Sequence, residues 1–212
     1  MPRRQQYTAE DVVRAAFELV RQKALKGLSA PSVAAEMGCS TMPIYSHFKN
    51  MQALEDEVVK KVWKVVMEYQ AKCYTGDVWI DQAIGYVHFA REEKNLFKCI
   101  LDGRNKKLKY QMNRRHWEIQ TEKLKGYDGF KDLEEEKIIK ARYSRAMLSH
   151  GIATSARIGL NKVFIENDDL LYRLLTDASQ ALLKGYLKVP PVEGDQRRLL
   201  KEKIKVLVDI QT

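Results

Sequence analysis

Apolar residues recur every three to four positions through almost all of this 212-residue chain, and nowhere do four or more residues alternate apolar with polar as a half-buried strand would. That pattern confines the chain to an all-α fold. Thr8 with Glu10 and Asp11 signals a helix start, Val12, Val13, Ala16, Phe17 and Val20 form one stripe, and Gly27 is the expected stop. A short second helix should follow Ser29, tolerate Pro31 in its first turn and end at Gly38; a third should start between residues 40 and 43 and reach Phe48. No breaker interrupts residues 51–72, so a fourth helix would span about 33 Å, long enough to join two domains.

Gly76 and Asp77 mark the next start, ahead of Ile80, Ala83, Ile84, Val87 and His88 on one face. A short helix with Leu96, Phe97, Ile100 and Leu101 should stop at Gly103, and a longer one should occupy residues 106–125. Asp132 with Glu135 suggests a capping box opening a helix to Gly159, and Asp168 with Asp169 opens another to Lys188, ahead of Pro190 and Pro191. From Leu170 to Tyr186 this last helix has too many apolar positions for one narrow stripe, which implies two buried faces. Residues 196–208 read as a final amphipathic helix.

Hydrophobic residues at 45% and charged residues at 31% are ordinary globular values. No apolar run approaches the roughly 20 residues that cross a bilayer, and the opening residues lead into no apolar signal core, so the expected location is the cytoplasm, away from membranes. Cys39, Cys73 and Cys99 are odd in number and contain no Cys-x-x-Cys pair, which speaks against a disulfide framework or a zinc site and makes them reduced core filler. His88, His116 and His150 lack metal-ligand spacing and read as satisfied histidines. There is no phosphate-binding Gly-rich loop, zinc-protease histidine pair or nucleophile elbow, so no catalytic residue, metal or cofactor is assigned and an enzyme is not expected. The net charge of +9 suits a polyanion such as DNA. Yet between Arg91 and Lys125 eleven basic side chains stand against five acidic ones, so much of the excess is mid-chain. The basic stretch 104–115 reads as a solvated face, with an anionic ligand or extra phosphate contacts as the sharper alternatives.

The stretch from Ala30 to Lys49 is the most informative. Ala34 is small where two helices would cross, Gly38 supplies a left-handed end, and Val33, Met37 and Ile44 would form a shared core. Ile44 would hold the second helix of the pair down and leave Thr41, Met42, Tyr45 and Ser46 on its outer side, the surface such motifs put into the major groove.

With Leu28-Ser29, Ala34, Gly38, Ile44-Tyr45-Ser46-His47-Phe48 and Ala53-Leu54, residues 8–55 resemble the TetR family of bacterial transcriptional regulators. The resemblance implies a three-helix helix-turn-helix DNA-binding domain over 1–50, joined by a long helix to a helical ligand-binding and dimerisation domain over 51–212. It implies that Tyr45, His47 and Lys49 hold phosphates, that Ser29 anchors the second helix on the DNA backbone, and that Thr41, Met42 and Ser46 face bases. Two departures bear on docking. Met51 stands where the family usually carries a phosphate-anchoring Lys, and Pro43 forces the reading helix to begin with Ser40 as cap or as late as Met42. Arg3 and Arg4 are candidates for an extra phosphate or minor-groove contact.

The family also implies an effector pocket whose motifs do not transfer between members. Trp63, Met67, Tyr86, Phe97, Trp117, Tyr143 and Met147 are the bulky or polarizable candidates for lining it, with ordinary core packing as the alternative for each. Small residues from Ser149 to Ala156 let another helix approach closely, and the helices near 133–160 and 168–188 resemble the family's dimer interface. The expectation is a homodimeric repressor on a palindromic operator, its reading helices about 34 Å apart, released by an unidentified small-molecule effector. A DNA-binding or interaction protein on the same fold without an effector site is the alternative.

Overall fold

A computed structural model describes residues 7–157, 159–160 and 162–190, and every regular element among them is helical. Helix α1 (Ala9–Lys23) opens with a capping box, in which the Asp11 N–H donates to Thr8 Oγ1 at 3.1 Å and the Thr8 N–H donates to the Asp11 carboxylate at 3.0 Å. It buries Val12, Ala16, Phe17, Leu19 and Val20. The helix stops at Lys23 rather than at Gly27, because Ala24 adopts φ 57° and ψ −177° and turns Leu25 into the core at the head of a 3₁₀ turn (Leu25–Gly27).

Ser29 and Ser32 cap α2 (Ala30–Met37) reciprocally, and Gly38 ends it at φ 64°, the left-handed conformation expected of that glycine. Helix α3 (Met42–His47) takes the later of the two starts that Pro43 allowed, and the Thr41 side chain caps nothing. Asn50 Oδ1 then accepts the Ala53 N–H at 2.9 Å to open α4 (Met51–Gln70), whose Leu54, Val58, Val62 and Val66 are buried. Met51 is half-buried and packs on the core. In the position where a lysine was the family expectation, this side chain contributes apolar contact instead.

Helix α5 (Val78–Glu92), capped by Asp77, is buried almost all round and packs on α4, on α8 (Glu135–Arg157) and on α10 (Asp168–Lys188). Gly85 makes the crossing with α4 possible: a Cβ there would sit 2.7 Å from Gln70 Cα and nearer still to the Tyr69 carbonyl oxygen. Helices α6 (Lys94–Leu101) and α7 (Lys106–Lys123) follow, a 3₁₀ turn (Asp128–Phe130) precedes α8, and the short α9 (Lys162–Glu166) precedes α10.

The front of α6 is tied to the end of α1. Arg21 Nε donates to Glu93 at 2.9 Å, and Asn95 Nδ2 donates to the carbonyls of Arg21 and Gln22 at 3.0 and 2.7 Å, satisfying acceptors that a helix end leaves open.

Three further expectations change. Helix α8 begins at Glu135, so Asp132 lies in the preceding turn and does not cap it. Helix α10 buries one face (Leu171, Leu175, Ser179, Leu183), while Leu170, Leu174 and Ala181 of its second apolar face are exposed in the single chain. Of the cysteines only Cys99 is buried, its thiol pushed up to about 12 by desolvation, whereas Cys39 is half-buried and Cys73 exposed. The proposed final helix over 196–208 and the pair Arg3 and Arg4 lie outside the described residues. No helix among the described residues is long and apolar enough to cross a membrane.

Candidate functional site

Two surfaces could carry chemistry. The first is α3, which Ile44 alone pins into the core. The large side chains Met42 and Tyr45 are 66% and 55% exposed on its outer side, and Ser46, His47 and Lys49 are exposed beside them. The Tyr45 hydroxyl makes no hydrogen bond among the described residues, whereas Ser46 Oγ donates to the Pro43 carbonyl at 2.8 Å. His47 Nε2 lies 2.8 Å from the Tyr7 carbonyl, an acceptor that fixes the proton on that nitrogen. Because Tyr7 Oη also donates to the Met37 carbonyl at 3.2 Å, residue 7 straps α2 and α3 together. His47 is therefore engaged within the chain through its Nε2–H. Ser29 is exposed at the start of α2, with its hydroxyl occupied by Ser32; Ser40 is exposed and Thr41 half-buried.

The second is a cavity of about 520 Å³, open to solvent on one side and lined by α4, α5, α6, α7 and α8. Trp63, Tyr86 and Trp117 form aromatic walls, with Ala83, Ile100 and Leu101 between them. Met147 reaches the rim with most of its side chain exposed. These are four of the seven residues expected to line a pocket. Phe97 instead stands behind Tyr86, with ring centroids 6.0 Å apart, fully buried in the core. Tyr143 stacks on Trp117 at 4.4 Å and lies outside the lining, and Met67 is half-buried elsewhere on α4.

The polar part of the lining was not anticipated. Arg145 Nη2 donates to Gln82 Oε1 at 2.9 Å, Nη1 donates to the Trp79 carbonyl, and the guanidinium lies 3.9 Å from the Trp79 ring centroid. Arg142 lies 4.0 Å over the Trp117 ring, and its Nη2 donates to the Trp117 carbonyl at 3.3 Å. Both side chains are buried, both Nε atoms lack a partner, and among the described residues neither forms an ion pair with a carboxylate. Asp77 attracts Arg145 only from a distance; it accepts from the Trp79 N–H and the Tyr127 hydroxyl. Burial pulls Arg145 down to about 9 and Arg142 to about 10, so both remain charged at neutral pH. Lys109, also at the lining, is different: its Nζ donates to the Asp102 carbonyl at 2.6 Å, and Asp102 and Glu55 offset its charge.

A glutamine sets the state of His116. Gln70 Nε2 donates to the Gln82 carbonyl at 2.9 Å, which turns its Oε1 toward His116 Nε2 at 2.5 Å and Gln120 Nε2 at 3.1 Å. The oxygen acceptor places the imidazole proton on Nε2. Burial, reinforced by Lys123, Arg145 and Arg142, lowers His116 to about 4 and keeps it neutral. His116 is half-buried and is among the residues that line the cavity. His116 and His150, read from sequence as ordinary histidines, thus both face the cavity, His150 with its Nδ1 3.0 Å from the Tyr86 hydroxyl. His88 is buried against Tyr74 with its Nδ1 3.1 Å from Glu92, but its Nε2 is buried without a hydrogen-bond partner among the described residues, so it is satisfied at one ring nitrogen only.

Within the basic stretch 104–115, Arg104 pairs with Asp102 and Glu55, Arg114 with Glu118, and Lys106, Lys107 and Arg115 are exposed. That segment is mainly a solvated and paired face.

These features define an all-helical protein that joins an exposed short helix to a cavity with a cationic wall. No protein-family model matches the chain, and no curated protein matches it. Among solved structures it is similar to a protein with unknown function from Rhodococcus sp. RHA1, with a TM-score of 0.64 and 17% identity over 87% of this chain and 98% of that one. At that identity the likeness is one of fold.

Proposed function

We propose that the chain is a ligand-responsive transcriptional regulator of the TetR type, a homodimer that reads a palindromic operator and is released by a small-molecule effector. The observation that carries this reading is α3, a short helix anchored through Ile44 that leaves Met42 and Tyr45 exposed with Ser46 and Lys49 alongside. Bulky side chains held outward on a firmly anchored helix suit a groove of DNA, where Tyr45 and Lys49 would meet phosphates and Met42 and Ser46 base edges. The uncovered face of α10, with Leu170, Leu174 and Ala181, supports pairing with a second copy.

The cavity favours an effector-bearing regulator over a DNA-binding protein without a ligand site. Helix α6 touches both ends of the system: Asn95 and the adjoining Glu93 hold the end of α1, and Ile100 and Leu101 border the cavity. A ligand that repositions α6 and α4 would alter the spacing of the two reading helices, and a coupling of about 1–3 kcal/mol is enough to shift occupancy substantially.

The test is fluorescence anisotropy with duplexes drawn from upstream of the chain's own coding region. Tyr45→Ala should weaken binding to specific and non-specific duplexes alike, by about 1.5 kcal/mol, the worth of a hydrogen bond to a charged group. Ser46→Ala should change the ranking among sequences. Unaltered affinity and ranking in both variants would exclude α3 as the reading helix.

A further inference from the structure

The buried polar atoms around the cavity are unbalanced. Among the described residues, those left without a partner include the donors Arg142 Nε, Arg145 Nε, Gln82 Nε2 and Trp63 Nε1, the Tyr110 hydroxyl, and a single pure acceptor, Gln120 Oε1. No Asp or Glu is part of the lining, and the only histidine with a resolved shift there, His116, is neutral. Two buried guanidiniums without an anion are an unstable combination in a low-dielectric wall, since such charges are normally paired. A guest that brings negative charge would complete them.

We propose that the cavity binds an organic acid, its carboxylate at Arg142 and Arg145 and its apolar body against Trp63, Tyr86 and Trp117. The planar fork of a guanidinium matches a carboxylate, and charge-assisted hydrogen bonds in a buried site are the strong ones. The volume of about 520 Å³ lies within the range that takes drug-sized ligands. Aromatic and aliphatic walls around one cationic end suit a single anionic group on a hydrophobic body better than a polyanion. This assignment rests on the regulator reading only in making the acid its effector; the binding chemistry stands on the cavity alone.

Isothermal titration of the full-length protein, without DNA, against two isosteric series tests it: 2-naphthylacetate, 2-naphthylacetamide and 2-naphthylethylamine, then decanoate, decanamide and decylamine. In at least one series the acid should bind about tenfold or more tighter than the amide, and the amine not measurably. Arg142→Met should reduce the preference of acid over amide without lowering the melting temperature of the unliganded protein, Arg145→Lys should retain part of the preference, and the double variant Arg142→Met/Arg145→Met should lose it. Equal binding of acid and amide, tighter binding of an amine, no binding by either acid, or an acid preference that survives the double variant Arg142→Met/Arg145→Met would each overturn the assignment. Acid binding that leaves DNA affinity untouched would instead uphold the assignment and count against the regulator.

Discussion

Replacing Ala24 with glycine should make the protein more stable. Ala24 holds φ 57° with ψ −177°, a combination that L side chains avoid and that costs of order 1–3 kcal/mol when the surroundings impose it. They do impose it: the Ala24 N–H donates to the Val20 carbonyl at 2.8 Å to close α1, while Leu25, one residue on, is buried. Against the relieved strain stand the greater freedom of glycine in the unfolded chain, about 0.5–1 kcal/mol, and the loss of a half-buried methyl, roughly half of the ~0.8 kcal/mol of a buried CH₂. The balance favours Ala24→Gly by about 1 kcal/mol at the upper half of the strain range, which in a chain of this length raises Tm by about 2–4 °C. Urea unfolding and thermal melting measure it directly. Ala24→Val is the converse arm and should lose at least as much, because a β-branched residue tolerates positive φ less well than alanine. A less stable Ala24→Gly together with a neutral Ala24→Val would refute the strained turn.

Gly85→Ala should lower stability by about 1 kcal/mol, because overpacking of roughly 1–3 kcal/mol against the backbone of Gln70 and Tyr69 outweighs a helix-propensity gain of about 1 kcal/mol; an unchanged melting temperature would show that α4 and α5 separate freely. Acid should destabilise the fold through His116. Its folded value of about 4 lies below the ordinary 6.5, so the unfolded chain takes up the proton first, and the stabilisation is complete above pH 6.5 and lost as pH falls toward 4, at most about 3 kcal/mol. The loss between pH 7 and pH 4 should be smaller in His116→Gln, and an NMR titration of the His116 ring centred near 6.5 would contradict its burial.

The helices were largely legible because local chemistry sets them. Thr8, Ser29, Gly38 and Asp77 act at helix ends whatever lies elsewhere in the chain, and each does so here. The failures fall where tertiary packing overrides local preference. Gly27 looked like the stop of α1, but the need to bury Leu25 ends the helix at Lys23 and leaves an alanine in a glycine conformation. Asp132 and Glu135 have capping-box spacing, yet the turn that buries Phe130 and Leu133 delays α8 until Glu135. The second apolar face of α10 was readable from composition, while its exposure in the single chain was not.

The candidate site was legible in a more uneven way. Ile44 and its exposed neighbours follow from helical geometry, since one inward residue on a six-residue helix dictates which others point out. For the cavity, bulk proved a poor guide, because Phe97 and Tyr143 are comparable in size to Tyr86 but lie outside the lining, Phe97 against Tyr86 and Tyr143 against Trp117. A better signal was available on α8, where Ala141, Arg145, Ser149 and Ala153 recur at four-residue steps and are all buried. A guanidinium inside a stripe of small buried residues is expensive to desolvate, so it must meet a partner that local sequence does not supply. Net charge pointed to another part of the chain. The basic surplus between Arg91 and Lys125 is mostly solvated or paired, whereas two buried arginines without an acid among the described residues lie beyond it, at 142 and 145. What distinguishes them is burial without compensation, and that property appears only once α5, α7 and α8 have closed around them.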